Sequence, residues 1–295
     1  MTSTTPGTTM EASLQRLELA RELAWFCPPE LGQIVALTGS ASRGVADEDS
    51  DAELNFWVDE EPDGATLLDW LRRAGATAVI LDDEPLADGS LWATSLYKGV
   101  WFETGWQCID AMDAIVRRLS SGEVIDHVQL AHAPMILHAA GLRDSGELED
   151  WRDALRDYPE TLQARLISSA TVWALPNVIA ARWALARRGE RVALAERLVW
   201  DAHNVLRVLC ALNHQWEPDW KWLTLTVAAL EMKPDRLAER INEIFTPPQA
   251  EHSVVRCLEL IRDTLALVPP RYDMGRARWT VDESLQAHAL TIYST

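Results

Sequence analysis

The chain of 295 residues is longer than a single hydrophobic core comfortably organises, which predicts two domains of roughly 100–200 residues. Its 48% hydrophobic and 24% charged residues exclude wholesale disorder, a collagen-like fibre and a disulfide scaffold. Acidic residues number 45 against 27 basic ones, and the net charge of −18 repels phosphate backbones and anionic lipids, so we expect no nucleic-acid or membrane partner.

Residues 1–10 are predicted to form a disordered leader, because they lack the basic start and the apolar stretch of a signal peptide. No stretch approaches the about 18 consecutive apolar residues that a membrane-spanning helix requires. The cysteines lie too far apart for a Cys-x-x-Cys metal site, which predicts buried thiols at Cys27, Cys108, Cys210 and Cys257. We therefore expect a cytoplasmic protein.

The first half of the chain alternates helical and strand patterns and predicts an α+β domain, a mixed sheet flanked by helices. A first helix is expected to end before Pro28, and a second covers residues 65–74. Lys98-Gly99 lies between two strand patterns at the two-residue spacing of a hairpin. The predicted strands are residues 33–37, 51–58, 77–81, 91–97 and 100–106.

The second half is predicted to be an all-α helical bundle. From about residue 111 the hydrophobic period changes to 3.6, and we expect no further strand. One long apolar stripe runs from Leu162 to Trp183, with a kink expected at Pro176.

The boundary between the two halves is predicted in polar, glycine-bearing sequence, either near Gly122 or within residues 141–146. We accordingly assign residues 11–121 to the first domain and residues 122–295 to the second.

Residues 37–57 carry the densest pattern of chemically functional side chains. The first strand ends at Gly39-Ser40, where small residues let backbone N–H groups approach a ligand, and a short helix is expected to begin there. This predicts a phosphate-binding turn, the phosphate seat, in which the Ser40 hydroxyl donates a hydrogen bond to the phosphate. Arg43, one turn further on, can reach a phosphate or pair with a nearby carboxylate.

Two carboxylates follow on the next strand. Asp51 and Glu53 share one strand face because side chains alternate with a period of two. Two acids on one face repel each other unless cations lie between them, and Mg²⁺ prefers such oxygen ligands together with substrate phosphates. Two metal ions at such a site activate a nucleophile and stabilise a leaving group. Gly39 is not followed by the Gly-Lys-Ser/Thr of a P-loop, which disfavours a kinase or GTPase.

Gly39-Ser40, the spacer of residues 41–50 and the run Asp51-Ala52-Glu53-Leu54 together resemble the signature of the nucleotidyltransferase superfamily, of the DNA polymerase β type. The superfamily has an apolar residue before the glycine, where this chain has Thr38. The Ser-x-x-Arg-Gly of residues 40–44 and the Ser50-Asp51 pair are similar to small bacterial members related to aminoglycoside and lincosamide nucleotidyltransferases. The resemblance covers about the first 120 residues and implies a nucleotidyltransferase domain there.

The resemblance also implies further site residues. Ser50 is expected among the nucleotide-binding residues, and a third carboxylate is expected from a later strand. Glu103 is the candidate for that carboxylate, and Asp110 is the second choice. The alternative is that Glu103 is a surface acid on an edge strand, where it discourages pairing with other strands. A basic side chain from the helical half is expected on the triphosphate. Lys221, between two tryptophans, fits that role or simply covers the packed rings with its stem.

The activity that the resemblance implies is metal-dependent transfer of AMP from ATP to a hydroxyl of a small molecule, with release of pyrophosphate. Asp51 and Glu53 are expected to hold two Mg²⁺ ions, with Glu103 on the catalytic one, and Gly39, Ser40 and Arg43 to hold phosphates. The acidic surface favours a cationic, aminoglycoside-like acceptor. If the acceptor is such an antibiotic, the protein would act in antibiotic resistance. Two alternatives stay open: an antitoxin or regulatory interaction protein with this fold, and a protein-modifying AMP transferase.

Other conspicuous residues have weaker functional interpretations. Three histidines are spaced five and six residues apart, off any common helical face, so no histidine metal site is expected at His127, His132 and His138. Most tryptophans are predicted to lie in the core. Four lie close enough in sequence to the carboxylates to line a substrate cleft, namely Trp57, Trp92, Trp101 and Trp106.

Overall fold

The computed structural model describes residues 6–123, 126–216, 221 and 223–292. These divide into two compact units, one built from residues up to Ser120 together with His132–Asp157, the other from Ser121–Ala131 together with the chain from Tyr158 onward. The units differ from the predicted domains in one segment, because residues 132–157 belong to the first unit. Two independent domains stay a prediction.

A six-stranded mixed sheet forms the centre of the first unit, which confirms the predicted mixed sheet. Its spatial order is β3-β4-β5-β2-β1-β6, and only the β2–β5 pair is parallel. The strands are β1 Ile34–Thr38, β2 Ala52–Val58, β3 Thr77–Leu81, β4 Leu91–Tyr97, β5 Val100–Cys108 and β6 Ala140–Arg143.

Helices make up most of the rest of the described chain. Of the predicted leader, residues 1–5 lie outside the described residues, and the first helix begins at Pro6. The described residues form a short 3₁₀ turn at Pro29–Leu31 and these α-helices: α1 Pro6–Phe26, α2 Gly39–Ser42, α3 Gly64–Arg73, α4 Ile109–Ser120, α5 His127–Leu130, α6 His132–Leu137, α7 Glu147–Arg156, α8 Glu160–Trp173, α9 Pro176–Arg188, α10 Arg191–Leu212, α11 Leu223–Ala229, α12 Leu237–Ile244, α13 Ala250–Leu267 and α14 Gly275–Ile292.

The two faces of β2 have different roles because its side chains alternate. Leu54 and Phe56 are fully buried in a core with residues of α1 and α3. Phe56 stacks on Trp106 of β5 with 5.0 Å between ring centroids and meets Trp70 of α3 edge-on. The opposite face of β2 carries Glu53, so the core packing of one face fixes where this carboxylate lies.

The β4–β5 hairpin is the two-residue turn that the sequence predicts. Lys98 and Gly99 have φ values of 47° and 84°, and Tyr97 pairs with Val100 across the turn. Two consecutive positive φ values match the right-handed twist of the flanking strands. The hairpin thereby sets the register of β5, on which Glu103 lies.

The expectation of no strand after residue 111 is wrong, because β6 pairs antiparallel with β1 inside the span predicted to be all-α. Arg143 of β6 donates to the backbone carbonyls of Ala24, Cys27 and Gly32 at 2.6–2.8 Å. Four residues are too few to show an alternating pattern, and the strand depends on the open edge that β1 offers.

The described residues of the second unit form helices alone. Pro176 does not kink one long helix; it begins α9 after α8 has ended at Trp173, since proline fits the first helical turn but not the interior. Arg182 of α9 and Asp201 of α10 form an ion pair with side chains 1% and 0% exposed. Cys257 Sγ of α13 donates to the same carboxylate at 3.6 Å, so three helices meet at Asp201.

No helix in the described part of the chain is both long enough and apolar enough to cross a lipid bilayer.

Substitution of Asp201 tests the buried ion pair. Asp201→Ala leaves the Arg182 guanidinium charged and without its partner in the core, so we expect the free energy of unfolding to fall by about 3–5 kcal/mol. Urea unfolding followed by circular dichroism measures the loss. The control is Asp263→Ala, which removes a more exposed arginine–aspartate contact between α12 and α13 and should cost at most about 1 kcal/mol. Equal losses in the two variants would contradict the interpretation.

Candidate functional site

The turn at Gly39 joins β1 to α2 and requires glycine for two reasons. Its φ of +69° lies in the left-handed region, and a Cβ built on Gly39 would lie 2.6 Å from the carboxyl group of Glu53. The Gly39 carbonyl accepts hydrogen bonds from Ser42 Oγ at 3.1 Å and Arg43 Nε at 3.2 Å. As predicted, a short helix begins here, and the glutamate carboxylate packs directly on the backbone of the turn.

The strand register aligns three side chains of the site across neighbouring strands. Thr38 of β1 is opposite Glu53 of β2, and Glu53 is opposite Glu103 of β5. Adjacent strands lie about 4.8 Å apart, so Thr38, Glu53 and Glu103 form one row, which we call the carboxylate row. Asp110 lies in the first turn of α4, beyond the far end of β5, so the register brings Glu103 beside Glu53 and leaves Asp110 out of the row.

Asp51 and Glu103 line a cleft of about 1620 Å³ in the first unit, bounded by α1, the loop before β2 and the β4–β5 hairpin. Seven carboxylates and only two cationic side chains, Arg16 and Lys98, line this cleft. Lys98 is paired with Glu22 at 2.5 Å. The cleft therefore has a negative lining, which attracts cations.

Of the four tryptophans predicted near the cleft, Trp101 lines it and is 48% exposed. Trp57 and Trp106 are 1% and 0% exposed and belong to the packed interior, so the prediction is wrong for them. Trp92 packs on Gly105, where an added Cβ would lie 2.8 Å from the indole ring. The error arises because a strand pattern does not reveal which face a helix will cover.

Arg16 of α1 holds the loop that leads into Asp51, a role that the sequence did not reveal. It is 3% exposed and donates to the Ser50 carbonyl from Nε at 2.8 Å and to the Glu48 carbonyl at 3.2 Å. Burial lowers the pKa of Arg16, while the charges of Asp47 and Asp51 oppose that shift. On a helix of mixed polarity, a single arginine gives no signal of such contacts.

Of the predicted phosphate-binding residues, Ser40 lies in α2 and Arg43 directly after it, and Ser50 lies in the loop before β2. Ser50 Oγ donates to Asp47 Oδ1 at 2.8 Å and accepts from the Asp47 N–H, so its hydroxyl orders the loop before Asp51.

His138, which the sequence did not single out for this site, lies near Arg43. Partial desolvation of the imidazole and then the charge of Arg43 lower the pKa of His138.

Lys221 belongs to the second unit and is exposed. Trp220 and Trp222, which Lys221 would cover in its alternative role, lie outside the described residues. Both roles of Lys221 therefore stay predictions.

The carboxylates do not form a closed metal cage. Across the described ranges, no three histidine, cysteine, aspartate or glutamate side chains converge as the ligands of one metal ion do. Mg²⁺ usually takes only one or two protein carboxylates and completes its shell with water and substrate phosphates. The oxygen donors Asp51, Glu53 and Glu103 fit that chemistry, and their action as one ligand set stays a prediction.

A second polar network lies in the loop before β4. Asp88 Oδ2 contacts His132 Nε2 at 3.2 Å, and Asp88 Oδ1 accepts from Ser90 Oγ at 2.6 Å. Trp92 Nε1 in turn donates to Ser90 Oγ at 2.8 Å. The hydrogen bond from His132 is the largest cause that holds the pKa of Asp88 well below its usual range.

Comparison with known proteins leaves the family open. Residues 135–223, less than half of the chain, match the model of a domain of unknown function, DUF4037. No curated protein matches the chain in sequence. Among solved structures, the chain is similar to a nucleotidyltransferase-like protein from Exiguobacterium sibiricum 255-15, with a TM-score of 0.40 and 9% identity over 96% of this chain and 91% of that one. A likeness this distant does not assign a function.

Gly39→Ala tests the contact between Glu53 and the turn. The control is Gly89→Ala, since Gly89 also has a positive φ, +80°, but has nothing within 4 Å of an added Cβ. Both variants carry the backbone penalty, and only Gly39→Ala must also displace the carboxylate. We expect Gly39→Ala to lose about 1–3 kcal/mol more unfolding free energy than the control in urea titrations. Equal losses would show that the carboxylate does not pack there.

Asp88→Asn tests the His132 contact through pH. Because the pKa of Asp88 is lower in the folded than in the unfolded protein, its stabilising effect is present above the ordinary pKa of about 3.9 and is lost as pH falls below it. At pH 7 the variant should lose about 1.5–3 kcal/mol of unfolding free energy. The difference between wild type and variant should shrink from pH 5 toward about pH 2.

The matched control is Asp83→Asn, which changes an exposed carboxylate of the same loop and should show no such pH dependence. A constant difference between Asp88→Asn and wild type across this pH range would contradict the assignment.

Proposed function

We propose that this chain transfers a nucleoside monophosphate, AMP from ATP, to a hydroxyl group of a small molecule and releases pyrophosphate. The observation that carries the proposal is the carboxylate row. Glu53 packs on the glycine of the predicted phosphate seat and is in register with Glu103 of the parallel neighbour β5. A phosphate seat next to oxygen ligands is the arrangement that phosphoryl chemistry requires.

The phosphate side of the reaction falls to the turn after β1. The backbone of Gly39 and the Ser40 hydroxyl would donate to the β- and γ-phosphates, since small residues permit a close approach. Arg43, bonded to the Gly39 carbonyl, would supply positive charge beside them. The neighbouring His138 would add a neutral donor or, at lower pH, a second cation.

Asp51, Glu53 and Glu103 would hold Mg²⁺ in this proposal. When bound there, Mg²⁺ would stabilise negative charge on the phosphates and favour loss of the proton of the attacking hydroxyl. The chain's own contribution is to hold the carboxylates in a fixed arrangement. The Arg16 contacts to the loop before Asp51 and the packing of Glu53 on Gly39 support this.

The acceptor would enter the acidic cleft beside Asp51 and Glu103. Its seven carboxylates favour a cationic acceptor, and the exposed face of Trp101 offers a ring or an apolar surface on which the acceptor can pack. One carboxylate near the acceptor would remove the proton of the attacking hydroxyl. Lys221 remains our candidate for an additional contact to the triphosphate. The proposed location is the cytoplasm, which holds ATP and Mg²⁺.

The test is incubation with ATP labelled at the α-phosphate, Mg²⁺, and a panel of hydroxyl-bearing organic cations and of proteins. We expect label on a small molecule together with released pyrophosphate. Asp51→Asn and Glu103→Gln should each lower the rate on the order of 100-fold or more, because each removes a charge that the transition state needs.

The matched controls are Asp83→Asn and Glu84→Gln, two exposed carboxylates outside the cleft, which should retain the wild-type rate. Circular dichroism and thermal unfolding establish that all variants are folded. Label on protein alone would redirect the proposal to a protein-modifying transferase. Full activity in Asp51→Asn would remove this residue from the site.

A further inference from the structure

Two polar side chains next to Glu53 are buried, one of them a member of the carboxylate row. Thr38 is 0% exposed and Asn55 is 7% exposed. Burial of a hydroxyl and an amide costs free energy unless both are hydrogen-bonded, so their contacts are an energetic requirement of the fold. They lie on adjacent strands: Thr38 ends β1 just before the Gly39 turn, and Asn55 lies on β2 two residues after Glu53.

The hydrogen bonds between these side chains run in one direction. Asn55 Nδ2 donates to Thr38 Oγ1 at 2.8 Å, and Thr38 Oγ1 donates to Glu53 Oε2 at 3.4 Å. An amide nitrogen can only donate, so the threonine oxygen accepts from it and the single hydroxyl proton is left for the carboxylate. The chain of donors from Asn55 through Thr38 ends on Glu53.

We propose that Thr38 and Asn55 are positioning residues that hold the Glu53 carboxylate against Gly39 in the orientation for metal and nucleotide binding. This inference rests on the proposed function. It gives a physical role to Thr38. This residue occupies the position where the superfamily that the chain resembles has an apolar residue. An apolar side chain there could fill the space but could not donate to the carboxylate.

The expected consequence concerns affinity. Partners that orient a metal-binding carboxylate without touching the metal typically change metal affinity or activity about 10–100-fold when they are removed. Without the Thr38 proton, Glu53 keeps its packing on Gly39 but loses the bond that orients Oε2. Asn55 would then act only through Thr38, so the two substitutions should not add.

The experiment measures Mn²⁺ binding by electron paramagnetic resonance in the presence of α,β-methylene ATP, which needs no acceptor. Thr38→Val keeps the shape and removes the hydroxyl, and we expect about tenfold weaker Mn²⁺ binding. Thr38→Ser keeps the hydroxyl and should bind within about threefold of wild type. The double variant T38V/N55L should bind no more weakly than Thr38→Val alone.

Thr104→Val is the matched control. Thr104 is also 0% exposed and also lies in the sheet, but its hydroxyl donates to the Ala93 carbonyl on the core side of β5. It should lose stability without losing Mn²⁺ affinity. Thermal unfolding of every variant separates a lost fold from a lost orientation. If Thr38→Val is unstable, Thr38→Ala, which also removes the hydroxyl, takes its place in the comparison with Thr104→Val.

The outcomes separate the inference from the function on which it rests. If folded wild-type protein binds neither Mn²⁺ nor the ATP analogue, the proposed function is overturned and the positioning role with it. If wild type binds both and Thr38→Val binds as tightly as Thr104→Val, the positioning role alone is overturned.

Discussion

The contact between the Glu53 carboxyl group and the backbone of Gly39 is the constraint on which the rest of the site depends. An added Cβ would lie 2.6 Å from that carboxyl group, so no other residue leaves the space that Glu53 occupies. The contact brings the end of β1 and the start of β2 together, and the parallel pairing of β2 with β5 then extends the row to Glu103. The Gly39 turn, Glu53 and Glu103 are thus neighbours through this contact and the strand register.

Arginine side chains join segments of this acidic protein that are far apart in the sequence. Arg16 donates to carbonyls of the loop before Asp51, and Arg143 donates to one carbonyl in the last turn of α1 and to two between α1 and β1. Arg182 joins α9 to α10 through Asp201. A guanidinium group carries five donors in a rigid fork, so one side chain can bond several oxygens at once. The loop before Asp51 is therefore held by Arg16, a residue of the cleft lining that comes from α1.

The acidic cleft and the carboxylate row have an energetic cost that bound cations would offset. Like charges gathered in one cleft repel each other and destabilise the compact state, and a bound cation relieves that repulsion. The chain of donors from Asn55 through Thr38 ends on Glu53. A carboxylate near other negative charges needs such hydrogen-bond donors to hold its orientation. A metal ion with its nucleotide on one side and a cationic acceptor on the other would satisfy both needs.

The sequence by itself determined the strands around the site, the hairpin at Lys98-Gly99, and Gly39, Asp51 and Glu53 as candidates, because these follow from period-two alternation and from the special conformations of glycine. Only the tertiary structure decided the rest. It revealed the strand β6, the alignment of Glu103 rather than Asp110 with Glu53, and the contacts of Arg16, Thr38 and Asn55. Each of these depends on which distant segments pair and in what register, and local hydrophobic patterns do not encode the register between strands far apart in the chain.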